Sequence, residues 1–315
     1  MVWKNIRDEH HDPTAIREEA DANKKEKTID EIFTGIMVVD NEFLKRGLKG
    51  LLRNNKAGEY YLTDLVDFAS KRQLKIGSTQ TREEEIYGAN NKEELARLYR
   101  SLISLNVEAA KKKGAIFKDE STCYVEGELK VGKDVRIGSN VTIKGKVTLG
   151  NDVCIESNVL LSNTKIGANS SVKDFCSIED SSLAKGVEVG PFARLRNGAV
   201  LDDSAKIGNF VEIKKSKIGQ GSKANHHAYL GDASIGKKVN VGAGTITCNY
   251  DGKLKHKTKI EDGSFIGTNS SLVAPLKIGK KAYVAAGSVI TSDVPSGSLA
   301  FGRAKQNTKK NWKKK

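Results

Sequence analysis

Aliphatic residues recur every six positions from Val131 onward, at Ile137, Ile143, Leu149, Ile155 and Leu161. Each has a second aliphatic residue two positions earlier, from Leu129 and Val135 through Val159. After a one-residue slip the rhythm resumes at Ile166. It then runs in steps of six or five through Val172, Ile178, Leu195, Ile213 and Leu230 to Thr247, with a last run from Ile260 to Ile290. A helix cannot use such a period, because 3.6 residues per turn would scatter these side chains around its circumference. Short strands joined by corners can, and three hexads per coil stack the aliphatic positions into ladders filling a narrow prism. The pattern predicts a mainly β chain built on a parallel β-helix of about nine coils. Glycine follows the aliphatic position repeatedly, as at Gly132, Gly138, Gly208 and Gly242, which predicts corners needing a small or left-handed residue.

Two segments break this rhythm. Between Thr247 and Ile260 the spacing widens to a polar, basic stretch that begins at Cys248. It is expected to leave the prism as a loop, where rigid scaffolds often carry chemistry. Upstream of the repeat, residues 93–113 predict an amphipathic helix with Leu95, Leu98, Leu102 and Leu105 on one stripe, Asn91 and Glu94 at its start and Gly114 at its stop. Residues 62–71 predict a helix between short strands at 31–39 and 75–78. The expected division is a partial α/β domain at 1–92, a linker helix at 93–114, the β-helix at 115–294 and a basic tail at 295–315.

Charge then narrows the choice of partners. The chain has 53 Lys and Arg against 39 Asp and Glu, a net charge of +14, and the excess lies after residue 115. Either nucleic acid or phosphorylated small molecules would suit such a surface. Aromatic residues make up only 6% of the chain and no nucleic-acid-binding motif is present, so small molecules are favoured. No apolar run is long enough for a membrane helix, and the start has no secretory pattern, so a cytoplasmic location is expected. Cys123, Cys154, Cys176 and Cys248 form no CxxC pair and are expected to be buried thiols.

Particular stretches carry a closer likeness. Val189-Gly-Pro-Phe-Ala-Arg-Leu-Arg, Gly208-Asn-Phe-Val-Glu-Ile-Lys-Lys, Tyr229-Leu-Gly-Asp-Ala and Val241-Gly-Ala-Gly-Thr-Ile-Thr-Cys-Asn-Tyr-Asp-Gly resemble the GlmU family. These bifunctional bacterial enzymes acetylate glucosamine-1-phosphate and uridylate the product to UDP-N-acetylglucosamine. The resemblance implies hexapeptide repeats wound left-handed, acetyl-CoA as co-substrate and a homotrimer with sites shared between subunits. Near the start, Ile16-Arg-Glu-Glu-Ala-Asp-Ala and Gly88-Ala-Asn-Asn resemble the second half of the family's uridyltransferase domain. By that match Glu18 is a sugar-nucleotide contact and Asn90 a magnesium ligand, while Phe33 replaces an asparagine. A lone Asn cannot hold Mg²⁺. Uridyltransferase activity is therefore not expected of this chain alone, and Mg²⁺ is expected only if a separate chain supplies the missing nucleotide-binding half.

Acetylating an amine requires a base for its proton and donors for the tetrahedral oxyanion. Of the five histidines, His10 and His11 lie in a polar segment, and adjacent His226 and His227 should point to opposite sides of a strand. The resemblance places the base at His226, with Glu212 one coil earlier available to polarise it. It implies that Arg196, Lys214 and Tyr229 hold the sugar phosphate, that Asn240 binds the sugar and that Lys255 reaches in from the inserted loop. Acetyl-CoA is implied at Ala243, Thr268, Ala286 and Arg303, with Asn249 and Tyr250 beside the acetyl group. Thr268 stands for a family serine. Three other readings stay open: a hexapeptide-repeat transferase for another substrate, a zinc carbonic anhydrase using His226, His227 and His256, and a non-catalytic rod.

Overall fold

The computed structural model describes residues 3–82, 85–86, 88–89, 91–310 and 312, and divides into two compact units, Met1–Leu95 and Ala96–Lys315. In the first, strands β1 (Trp3–Arg7) and β2 (Pro13–Glu18) pair antiparallel, and helices α1 (Asn41–Leu48) and α2 (Asp64–Ser70) follow. Asp40 caps α1 by accepting the Phe43 N–H. Helix α2 falls within the expected 62–71. The expected strands at 31–39 and 75–78 are absent. Ile32 makes a single bridge to Lys4, Glu31 turns its carboxylate to Arg7 and Asn5, and Ile36 and Val38 are exposed without a partner strand.

Helix α3 (Lys92–Lys111) opens the second unit's fold. Asn91 Oδ1 accepts the Glu94 N–H at 2.9 Å, so the expected start holds. The expected stripe is not the packed one. Ile103, Val107 and Ala110 are buried, whereas Leu95 and Leu102 are more than half exposed. Helical spacing alone offered both faces, and contact with Ala115 and Cys123 at the mouth of the prism selects the second.

The rest of the unit is the predicted solenoid. Strand β3 (Ala115–Phe117) pairs in parallel with β5 (Val135–Ile137), and the same face continues through eleven strands to Leu299–Ala300. The coil therefore reaches beyond residue 294. The other two faces merge into one sheet because β4 (Tyr124–Val131) and β6 (Thr142–Leu149) pass round a corner without interruption. Registers are in step from coil to coil: Leu195 faces Ile213 and Ile213 faces Leu230, all three fully buried. Burying one such side chain contributes about 2 kcal/mol, and the ladder repeats it along the axis.

Of the two roles expected for the corner glycines, the small residue is the one most of them fill. The left-handed residue lies two positions after the glycine and is mostly not glycine, as at Asp134, Asn140, Phe192 and Phe210. The glycine itself serves close approach. A Cβ on Gly208 would lie 2.7 Å from Asn225 Cα and collide with that residue's carbonyl on the next coil.

Cys123 and Cys176 are buried, and burial pushes the Cys176 thiol up to about 11. Cys154 and Cys248 are only half-buried, a correction to the expectation, because each lies on a strand's outer face beside a core residue. Among the described residues no helix is long and apolar enough to cross a membrane.

Candidate functional site

His226 ends the strand Lys223–His226, and parallel pairing with Lys206–Asn209 sets it opposite Asn209. The ring is exposed, with Nδ1 2.8 Å from Asn209 Oδ1. An amide oxygen can only accept, so Nδ1 carries the hydrogen and Nε2 keeps a free lone pair facing outward. Glu212, expected to polarise this histidine, does not. Its carboxylate is engaged by Arg196 at 2.6 and 2.7 Å on the neighbouring face. His227 also departs from the simple alternation of a strand: it turns the corner at φ 46° and remains exposed, its ring beside Phe210. An open groove of about 280 Å³ runs away from His226 along the earlier coils, lined by Lys173, Glu188, Lys206 and Asn225.

Round the corner, Arg196 and Lys214 are register partners on adjacent strands, as one-coil spacing implied. Lys255 reaches back from the insertion to Lys214. Lys255 is the main cause of a lowered Lys214 pKa, and Arg196 lowers it further. The three cations thus lie near one another, with Glu212 already on the Arg196 guanidinium. Asp232, nine-tenths buried, tempers them, and its carboxylate accepts from Asn249 Nδ2 at 2.6 Å. Tyr229 follows the same corner and lays its phenol back over Gly231, the register partner of Lys214. A Cβ on Gly231 would lie 2.7 Å from Tyr229 Cζ, so only glycine leaves the ring this resting place.

The acetyl-CoA expectations fall on one column. Ala224, Val241, Ile266 and Val284 are successive partners on the first face. Two positions further along each lie His226, Ala243, Thr268 and Ala286. Backbone bonds hold this column, Asn269 N–H to Ala243 O at 2.7 Å and Gly287 N–H to Thr268 O at 2.8 Å. Arg303 borders its far end, with Cδ 4.0 Å from the space beside Gly287. Thr268 and Ala286 are exposed. Asn240 stands on this face, paired with Lys223 and Phe265, rather than among the three cations.

The insertion does leave the prism. Tyr250 bridges Lys255 across it and is exposed, whereas Asn249 at its root is buried. Asp251 binds His256 at 2.7 Å and also accepts the Leu254 and Lys253 N–H groups, which together hold its carboxyl below the usual carboxylate range. His226, His227 and His256 are therefore committed to three different neighbours. Among the described residues no three His, Cys, Asp or Glu side chains cluster as metal ligands.

In the first unit, the Glu18 carboxylate accepts the Tyr61 hydroxyl, and Phe33, Trp3, Tyr60 and Tyr61 line an aromatic cavity of about 330 Å³. Asn90 lies outside the described residues. Three residues of the second unit had no expected role, Asn209, Asp232 and Asp251, and Gly231 was expected only as a corner. Asn209 lies one coil of seventeen residues before His226, and that offset was the signal available for it.

Known proteins bear on this arrangement. Residues 120–201 match the family model described as the GMPPB C-terminal domain, and residues 257–292 match the hexapeptide repeat of succinyl-transferase. With this match the parallel coils are those of a left-handed β-helix. The chain is 46% identical to the bifunctional protein GlmU of Idiomarina loihiensis over 98% of its own length and 68% of that protein's. For the GlmU of Acinetobacter baylyi the values are 48%, 95% and 66%, and for that of Thermotoga maritima 46%, 96% and 67%. The chain spans about two thirds of the length of the curated relatives it matches.

Proposed function

Since this chain belongs to the GlmU family, we propose that it transfers the acetyl group of acetyl-CoA to the amine of glucosamine-1-phosphate, yielding N-acetylglucosamine-1-phosphate for UDP-N-acetylglucosamine synthesis. The observation that carries the proposal is the single column in which His226 heads Ala243, Thr268 and Ala286. Small side chains there admit the pantetheine arm against the backbone, which brings the thioester to the histidine, and Arg303 meets a coenzyme phosphate at the other end. Asn249 and Tyr250 flank the acetyl group, and Asn240 contacts the sugar.

Chemistry follows from the tautomer. Nε2 of His226 accepts a proton from the amine as its nitrogen attacks the thioester carbonyl, and the resulting imidazolium is steadied by Asn209 on Nδ1. Collapse of the tetrahedral intermediate breaks the C–S bond. The proton held by His226 then goes to the departing thiolate. Arg196 offers a planar fork to the sugar's phosphate, Lys214 and Lys255 offer point charges, and the Tyr229 hydroxyl completes the cradle. The chain acts as a homotrimer in this proposal, with its prisms packed side by side. Glu18 is a remnant sugar-nucleotide contact, and Mg²⁺ enters only with a partner that supplies the family's nucleotide-binding half.

Thiol release from acetyl-CoA, dependent on glucosamine-1-phosphate and measured with the purified chain, tests the reading. No sugar-dependent release would end it, and equal release with unrelated amines would favour a transferase of another specificity. Gly231→Ala should displace the Tyr229 ring and raise the KM for glucosamine-1-phosphate by about tenfold, the effect of one lost polar contact. The KM for acetyl-CoA should not move.

Electrostatics makes a separate prediction. Because Lys255 and Arg196 lower the Lys214 pKa, its charge is lost at a lower pH than an ordinary lysine's. Affinity for the sugar phosphate should therefore fall early on the alkaline side. In Lys255→Met, weaker overall, that fall should move to higher pH, which titration of binding by calorimetry would read.

A further inference from the structure

The insertion leaves the prism after Cys248 and returns at Thr258, and one carboxylate organises it. Asp251 Oδ1 accepts the Lys253 N–H at 2.8 Å and the Leu254 N–H at 2.7 Å, while Oδ2 meets His256 Nε2 at 2.7 Å. Gly252 takes the left-handed turn at φ 100°. The strand then folds back so that Tyr250 bridges Lys255 and the His256 N–H donates to Asn249 O at 2.8 Å. Both roots of the hairpin are tied to one residue: Asn249 Nδ2 donates to Asp232 Oδ2, and the Thr258 N–H to Asp232 O.

This construction opposes a repulsion. The hairpin carries Lys255, opposite Tyr250, close enough to Lys214 to lower its pKa, and Lys214 is the register partner of Arg196, which Glu212 already engages. A lysine on a loose loop would turn to solvent, since like charges repel and its long stem has many rotamers. A fixed backbone holds it beside Lys214 before an anion arrives.

We propose that Asp251 is a positioning residue for the sugar-phosphate site: it folds the insertion into a preformed hairpin, so that Lys255 receives the phosphate without a loop-ordering step. The inference rests on the function proposed above. It assigns Asp251 no contact with substrate, and its effect on the sugar phosphate passes through Lys255.

The experiment uses the full chain and separates KM from kcat. Asp251→Ala should raise the KM for glucosamine-1-phosphate roughly tenfold, as lost preorganisation does, with kcat within about twofold. Asp251→Asn keeps an oxygen for the two turn N–H groups and should recover most of the loss. In a Lys255→Met background, Asp251→Ala should add nothing. An equal penalty in that background would overturn the proposal, as would a wild-type KM in Asp251→Ala. So would failure of Asp251→Ala to fold, because a hairpin outside the core should not govern folding. If the unmutated chain neither binds the sugar phosphate nor turns it over, the functional reading itself falls and this inference with it; normal turnover with an unaffected variant sinks only the inference.

Discussion

Replacing His226 with Ala should lower acetyl transfer by at least about 10²-fold, the usual worth of a positioned general base. The fold should not notice. His226 is exposed and its side chain makes one hydrogen bond, to Asn209, so the melting temperature should stay close to that of the unmutated chain. Asn209→Ala should cost less, about tenfold, since the base remains but its tautomer and orientation are no longer set. Its signature would be a changed pH profile of kcat, which a purely structural defect would leave alone. Wild-type turnover in His226→Ala would remove the base from the mechanism and leave the column of small residues without a reaction to serve.

The second large effect concerns stability. Ile213→Ala should destabilise the solenoid by about 2–5 kcal/mol, the range for emptying a packed core position. Ile213 is fully buried between Leu195 and Leu230 on the coils either side, and neither neighbour can collapse into the space without dragging its own strand out of register. Domain stabilities are about 5–15 kcal/mol, so the loss is a large share of the whole. Urea unfolding followed by circular dichroism would show the midpoint fall. The same change at Ile246, an exposed position on the same face, should stay within about 0.5 kcal/mol.

What could be read from the chain alone follows the range of the interactions involved. The six-residue rhythm is local, and it located the solenoid, its core ladder and the protruding insertion without reference to anything distant. The corner glycines were found with a small and a left-handed role both open, and the adjacent coil decides between them: Gly208 is small for Asn225, not for its own φ. The stripe on α3 failed for the same kind of reason. Leu102 and Val107 belong to different faces, and Val107 shares the core with Ala115 and Cys123 while Leu102 is exposed. Glu212 was one coil from His226 by counting, yet a corner separates them, and Arg196 is the cation on its own face. The strand expected at 31–39 is reduced to residues 31–33, which pair with β1; beyond them Ile36 and Val38 are exposed, and residues 75–78 form no strand.

The even stacking of the coils turns the prism into a ruler. Successive strands in a sheet stand about 4.8 Å apart, so the stretch from His226 past Ala243, Thr268 and Ala286 to the coil bearing Arg303 measures about 19 Å, four spacings. That length is set by counting repeats, not by the shape of any one side chain. If acetyl-CoA lies along this column as proposed, removing the coil that bears Thr268 would delete that contact and shorten the track by one division, so a thioester carried on a shorter arm should be favoured. Carrier preference would then depend on how many times the motif repeats.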